Sequence, residues 1–164
     1  MDSILPSLFG ITILLTSALL LGRSGFSSFR VMTESWQQAE TNTMERLHSD
    51  IAITSATLAG AELDLVVQNE GGTPVIDFSR MDVLVQYSAG GIPYAKYISF
   101  TNELPQVDDT WRVVVITNDV IDPRVLNAGE SMSVKLLLNP APDTPDNWVQ
   151  VTTEHGVSAS AVFS

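Results

Sequence analysis

The sequence predicts an α+β protein in which a long N-terminal α-helix, first hydrophobic and then amphipathic, is followed by an antiparallel β-sandwich. Two observations predict this fold. Residues 1–50 contain an uncharged apolar run and then apolar residues at helical spacing. Residues 51–164 contain seven or eight short segments in which apolar and polar residues alternate, separated by turn signals. We therefore divide the chain into a helical domain, residues 1–50, and a sandwich domain, residues 51–164.

The apolar run extends from Ile4 to Gly22 and contains no charged side chain. About 19 helical residues extend about 28 Å, which is close to the thickness of the hydrocarbon core of a bilayer. The run is therefore buried in lipid, removed by a peptidase, or packed against other copies of itself. Removal as a signal peptide is disfavoured because Asp2 is the only charge that precedes the run. We expect that any leader has already been removed, and an uncleaved membrane anchor is the alternative.

Apolar residues continue at steps of three and four beyond Gly25, and no proline interrupts the chain between Ser7 and Thr73. The pattern predicts one helix of about 45 residues whose apolar stripe extends past any bilayer. Such a stripe favours packing against copies of the same helix. The residues predicted to form this packed core between copies of the helix are Ile4, Leu5, Leu8, Phe9, Ile11, Ile13, Leu14, Leu15, Leu19, Leu20, Phe26, Phe29, Met32 and Trp36.

The remainder of the chain is typical of an immunoglobulin-like antiparallel β-sandwich, because short alternating segments follow one another with a turn signal between them. The clearest turn signal is the stretch from Glu70 to Pro74, which contains two glycines and a proline. The predicted strands are Ile51–Leu58, Glu62–Asn69, Met81–Tyr87, Ile92–Phe100, Trp111–Asn118, Ser131–Leu138, Trp148–Thr153 and Val157–Phe163.

Composition excludes several classes of function. The chain has 164 residues, a formal net charge of −11 and an isoelectric point of about 4.3. Nucleic-acid binding requires a basic surface, so no nucleic-acid partner is expected. Docking on anionic lipid headgroups is disfavoured for the same reason. The absence of cysteine rules out disulfides and thiol chemistry.

No constellation of residues predicts an enzyme. The only histidines are His48, on the predicted helix, and His155, in a predicted hairpin turn. No nucleophile triad, phosphate-binding loop or zinc motif is present, so no catalytic, cofactor-binding or metal site is expected. The pair Asp108 and Asp109 lacks the spacing of a calcium loop and predicts a solvated acidic loop.

Trp111 and Trp148 are predicted to pack in the core of the sandwich, and Trp36 is predicted to contact a neighbouring subunit. The three residues differ in their setting. Trp111 opens a largely apolar run and Trp148 opens an alternating strand, whereas Trp36 lies on the apolar stripe of the helix.

Three stretches resemble the sandwich domains of archaellins and other type IV pilin-like filament subunits. Leu63–Asp77 is similar to their strand, N-x-G turn and I-D step. Asp122–Glu130 is similar to their L-x-P-G-E turn, with alanine in the usual proline place. Trp148–Ala159 is similar to their closing hairpin. Leu5 stands where bacterial type IV pilins usually carry glutamate, which favours the archaellin branch.

The resemblance implies a structural subunit of an extracellular helical filament, either an archaellum-like motility filament or a type IV pilus. Its partners would be many copies of itself, the membrane before assembly, and the motor and platform proteins that extract it. Two alternatives stay open. One is a membrane-anchored accessory component of the same machinery, with a stator or envelope-binding role. The other is an unrelated anchored adhesin.

Overall fold

The computed structural model describes residues 11–17, 43, 48–119, 122–143 and 147–164. The chain divides into two compact units, Met1–Thr43 and Met44–Ser164. In the first unit residues 11–17 form an α-helix and residue 43 is helical, where a helix was predicted. Most of the predicted 45-residue helix lies outside the described residues, so its full length stays a prediction.

The second unit contains eight β-strands, and each of them coincides with a predicted strand to within two residues at either end. A short 3-10 helix, Phe78–Arg80, was not predicted; it begins after Asp77, whose side chain accepts a hydrogen bond from the Ser79 amide at 3.0 Å. The strands are β1 (Ile51–Ala59), β2 (Glu62–Asn69), β3 (Asp82–Ala89), β4 (Ile92–Phe100), β5 (Thr110–Thr117), β6 (Ser131–Leu137), β7 (Asn147–Thr152) and β8 (Ser158–Phe163).

The eight strands are hydrogen-bonded in the continuous order β1-β2-β6-β5-β4-β3-β7-β8, and the two antiparallel halves of this order, the β1-β2-β6-β5 sheet and the β4-β3-β7-β8 sheet, face each other. A short parallel pairing of β4 with β5, at Ser99–Thr110 and Phe100–Trp111, joins the two sheets along one side. On the other side β1 and β8 approach each other. The predicted antiparallel β-sandwich is therefore confirmed, but it is nearly closed, and the parallel pairing was not expected.

The core lies between the two sheets, because alternate residues of each strand point inward. In β3, Val83, Val85 and Tyr87 are buried and the residues between them are exposed. Trp111 is 0% exposed and packs edge-on against Phe100, with ring centroids 4.8 Å apart. The prediction that Trp111 is a core residue is confirmed.

The prediction for Trp148 is wrong. Its strand buries Val149 and Val151, and this alternation turns Trp148 to the outside of the sheet. It lies there, partly buried, between Gln86 of β3 and Val162 of β8. A large aromatic residue is therefore available on the surface of the β4-β3-β7-β8 sheet.

Candidate functional site

Ten of the fourteen residues predicted to form the packed core between copies of the helix lie outside the described residues. Four lie in the described helix of residues 11–17, and they are largely exposed: Ile11 57%, Ile13 54%, Leu14 72% and Leu15 60%. Four large apolar side chains within about two exposed turns of helix need to be buried against lipid or protein. The residues outside the described part are Ile4, Leu5, Leu8, Phe9, Leu19, Leu20, Phe26, Phe29, Met32 and Trp36.

Within the described stretches of chain, no helix combines the length and the apolar character that crossing a membrane requires.

The sandwich holds the chain firmly just before β1, at a place that we call the N-terminal junction: His48 to Asp50 and the turn that follows β2. The Asp50 carbonyl accepts hydrogen bonds from the amides of Glu70 and Gly71, both at 3.0 Å. The His48 carbonyl accepts one from the Gly72 amide at 2.7 Å. Because main-chain groups make these bonds, the junction fixes the backbone itself rather than one side chain.

Gly71 lets the two segments of the junction approach this closely. A Cβ atom at this position would lie 2.3 Å from the Asp50 nitrogen and 2.5 Å from the His48 carbonyl oxygen. Both distances are far shorter than a van der Waals contact, and both neighbours are backbone atoms. The sequence predicts a turn at this place, and the structure shows that the turn also holds residues 48–50 in place.

Asn69 supports the junction from inside the sandwich and is only 1% exposed. Its side-chain amide donates to the carbonyls of Thr73 at 2.9 Å and Leu126 at 3.0 Å, and its Oδ1 accepts from the Gly71 amide at 3.0 Å. The side-chain nitrogen and the side-chain oxygen are thus both bonded, as a buried amide requires. The junction is thereby tied to the Val75–Leu126 bridge.

Glu154 ties the last hairpin turn to the segment after the junction. Its carboxylate is 7% exposed and accepts hydrogen bonds from the amides of Ile76 at 2.9 Å and Asp77 at 3.1 Å. The Nε2 atom of His155 lies 3.5 Å from the same carboxylate. Glu154 therefore connects the last hairpin turn to Ile76 and Asp77, which are 78 and 77 residues away in sequence.

Lys96 is the centre of a second polar cluster, at the loop between β4 and β5. Its Nζ atom donates to Asp109 Oδ2 at 2.5 Å and to the Asn139 carbonyl, and it lies 5.7 Å from the centroid of the Tyr94 ring. The hydrogen bond to Asp109 raises the pKa of Lys96. Burial raises the pKa of the neighbouring Tyr87. The Lys96 side chain therefore joins the end of the loop, at Asp109, to the Asn139 carbonyl.

The two aspartates considered for calcium are engaged with protein donors. Asp108 Oδ2 accepts from the Asn139 side-chain amide at 2.8 Å, and Asp109 Oδ1 accepts from the Asn139 main-chain amide at 3.2 Å. These hydrogen bonds hold this part of the loop against Asn139, whereas the sequence predicted a freely solvated acidic loop. In the stretches that the structure describes, no group of three or more histidine and acidic side chains is placed to hold a metal ion.

A shallow groove of about 730 Å³ runs beside β5. It exists because β4 pairs only with the first two residues of β5, which leaves the following edge without a strand beside it. Phe78, Phe100 and Val115 give the groove apolar walls, and Asp119 and Arg124 lie at a polar end. The Arg124 amide donates to Asp119 Oδ2 at 3.2 Å.

The fold is shared with proteins of the archaellum. The archaellum periplasmic stator protein FlaG from Sulfolobus acidocaldarius superposes with a TM-score of 0.51 at 17% identity, over 70% of this chain and 99% of that chain. The stator complex of FlaF and FlaG from the same organism gives 0.52 at 16% identity, over 69% and 87%. The archaeal flagellin FlaB1 from Methanocaldococcus jannaschii gives 0.50 at 13% identity, over 70% and 88%.

These identities establish a common fold for the sandwich and nothing finer. No protein-family model matches the sequence, and no curated protein matches it. The likeness to archaellins expected from the turn motifs is therefore supported at the level of fold, and stator proteins share that fold equally well.

Sequence reasoning missed Asn69, Lys96 and Glu154 as organising residues. A signal was present for the first two: each is a polar residue at a position of its strand where alternation points the side chain inward, beside Val67 or Ile98. Such a residue needs a partner inside the fold. Glu154 follows a strand end and gives no comparable signal.

Proposed function

We propose that this chain is an accessory component of an archaellum-like machine at the cell envelope, in which the sandwich is a stator-like outer domain. The observation that carries the proposal is the fold likeness to FlaG, a periplasmic stator protein, which extends over nearly all of that protein. By this proposal the apolar segment Ile4–Gly22 anchors the chain in the membrane.

The N-terminal junction supports a role in which force passes between an anchor and an outer domain. The amides of four successive residues, from Glu70 to Thr73, donate to the carbonyls of His48 and Asp50. Asn69 continues this hydrogen bonding into the core. By this proposal, load on the segment before β1 reaches the core of the sandwich through these main-chain hydrogen bonds.

We propose a structural role rather than catalysis, without metal or cofactor. In the described part of the sandwich, Glu154 and Lys96 hold other parts of the chain in place: Glu154 accepts hydrogen bonds from two main-chain amides, and Lys96 donates to Asp109 and to a carbonyl. Glu130 likewise accepts from the Asn127 amide at 2.9 Å and closes a turn.

The second candidate function is a filament subunit, as the turn motifs imply. Two observations favour it: the flagellin FlaB1 has the same fold, and residues 11–17 expose four large apolar side chains that neighbouring helices would cover. By this function the partners are many copies of the chain, the membrane before assembly, and the assembly motor. The two candidates share the anchor and differ in where the mature protein resides.

Deleting Ile4–Gly22 is expected to release the chain from membranes. Each buried leucine, isoleucine or phenylalanine contributes about 1.5–3 kcal/mol relative to exposure in water, so the intact run holds the chain strongly. The measurement is the share of chain that sediments with membranes after an alkaline carbonate wash. Val115→Lys, a polar change on the surface of the sandwich, is the control and should leave that share unchanged. An equally membrane-bound deletion variant would show that the run is not the anchor.

A further inference from the structure

The groove beside β5 lies where β4 would continue if it remained paired with β5. The two strands pair only at Ser99–Thr110 and Phe100–Trp111. One more hydrogen bond follows, from the Thr101 amide to the Trp111 carbonyl at 2.8 Å, and the chain then leaves the sheet. Among the described residues, no strand pairs with β5 beyond this point on that side. The sandwich therefore has room for a short additional strand there.

The main chain of β5 presents hydrogen-bonding groups to this groove. Because the Trp111 carbonyl points toward β4, the alternation of a strand turns the amide and carbonyl of Val113 the same way. Past the bulge between Val113 and Val115, the alternation shifts by one residue and points those of Ile116 to the same edge. Within the described part of the chain, no main-chain group of a turn or loop bonds to residues 113–116. The edge therefore offers donors and acceptors to another extended main chain.

Apolar side chains line the groove along this edge. Val113 and Ile116 pack against the core, and the bulge leaves the two valines between them outside. Val114 is 48% exposed and Val115 is 53% exposed. Phe78 lines the same groove and is partly buried. An extended segment lying here would therefore bury apolar side chains at alternate positions.

The polar end of the groove contains a carboxylate oxygen without a donor. Asp119 Oδ2 accepts a hydrogen bond from the Arg124 amide, whereas Asp119 Oδ1 is buried and has no hydrogen-bond partner among the described residues. Burying such an oxygen without a donor costs free energy. Two carboxylates, those of Asp77 and Asp119, and one guanidinium, that of Arg124, line the groove. Its charge balance is negative, which favours a positively charged ligand.

We propose that the groove beside β5 binds an extended segment of a partner protein, which adds a short strand to the free edge of β5 and places a lysine or arginine side chain at Asp119. An extended polypeptide matches this edge because its amides and carbonyls repeat at the spacing of a strand. The free edge comprises residues 113–117, so about five residues of the segment, or about 17 Å, can pair with it. Main-chain hydrogen bonds supply the affinity, and the apolar lining and Asp119 supply the specificity.

A second copy of this chain is a poorer occupant of the groove. Each copy carries a net charge of −11, so two copies repel each other, whereas a basic segment is attracted. The bulge between Val113 and Val115 also breaks the regular ladder that two β5 edges would need to pair with each other. A segment of another protein that is extended but not yet part of a sheet can follow the bent edge. The proposal holds for either of the two functions proposed above.

Selection of displayed random peptides of about ten residues on the detergent-solubilised full-length chain tests the proposal. The retained peptides are expected to combine alternating apolar residues with a lysine or an arginine. Asp119→Asn is expected to weaken their binding about tenfold, because the basic side chain loses the carboxylate that it pairs with. Glu62→Gln removes the same charge from the exposed surface of β2 and is the control, which should change the affinity by less than about twofold.

Methylation of the peptide main chain tests strand addition without any change to the protein. N-methyl groups on one alternate set of residues should remove the hydrogen bonds to β5 and weaken binding about tenfold, whereas the other set points away and should tolerate them. The proposal is overturned if no peptide is retained, if no retained peptide is weakened by Asp119→Asn, or if both sets of methyl groups weaken binding equally. A dimer of the peptide-free chain that a retained peptide dissociates would also overturn it, in favour of a second copy as the occupant.

Discussion

Replacing Trp111 with alanine is expected to lower the free energy of unfolding by about 4 kcal/mol, within the range for deleting a buried tryptophan. Trp111 is fully buried where β4 and β5 pair, and it packs against Phe100 at the seam between the two sheets. Its loss leaves a cavity at the contact that joins the sheets. The measurement is urea unfolding of the detergent-solubilised full-length chain, followed by circular dichroism of the β-sheet.

Trp148→Ala is the matched control, since it removes the same side chain from the outside of a sheet. The expected loss is about 1 kcal/mol, as is common for a partly exposed residue. Equal losses for Trp111→Ala and Trp148→Ala would contradict the placement of Trp148 on the outside of the sheet.

Gly71→Ala is expected to destabilise the sandwich by about 3 kcal/mol, because inserting a methyl group into a well-packed site forces the backbone to move. The added Cβ atom would meet the backbone of His48 and Asp50, which is held in place by hydrogen bonds. The melting temperature of the full-length chain is expected to fall by roughly 10 °C. Protection of the Gly72 amide from hydrogen exchange should fall as well.

Gly72→Ala provides the control for this prediction, one residue further along the same turn. A Cβ atom at Gly72 would have the His48 carbonyl oxygen as its nearest neighbour, at an ordinary distance of 3.9 Å. The expected change is within about 0.5 kcal/mol. If Gly71→Ala lowered the free energy of unfolding as little as Gly72→Ala, the result would contradict the close approach of backbone atoms at the junction.

Strand positions were predictable because apolar and polar residues alternate and glycine-rich turns separate the strands. In β3 each of Val83, Val85 and Tyr87 is buried, as the pattern predicted. Trp148 shows where this reasoning fails. Both Trp148 and Val149 are apolar, so the face that each one occupies depends on the whole strand, and Val151 decides it.

Contacts between distant parts of the chain could not be predicted from the spacing of apolar residues. The parallel pairing of β4 with β5 depends on how the loop from Thr101 to Asp109 closes, and the sequence contains no signal for its direction. The close contact at Gly71 could not be predicted without knowing that residues 48–50 lie against it, and those residues are more than 20 positions away in sequence. A turn signal specifies only local geometry.

The location of the mature protein in the cell provides the most direct test of the proposal that the chain is an accessory component of the cell envelope. Cells that carry an epitope tag on the full-length chain are sheared, and the tag is quantified in the released filaments and in the cell envelopes. An accessory envelope component is expected to remain almost entirely with the envelopes, while the major filament protein is released. Recovery of the chain as the principal protein of the sheared filaments would contradict the stator-like role and establish the filament subunit instead.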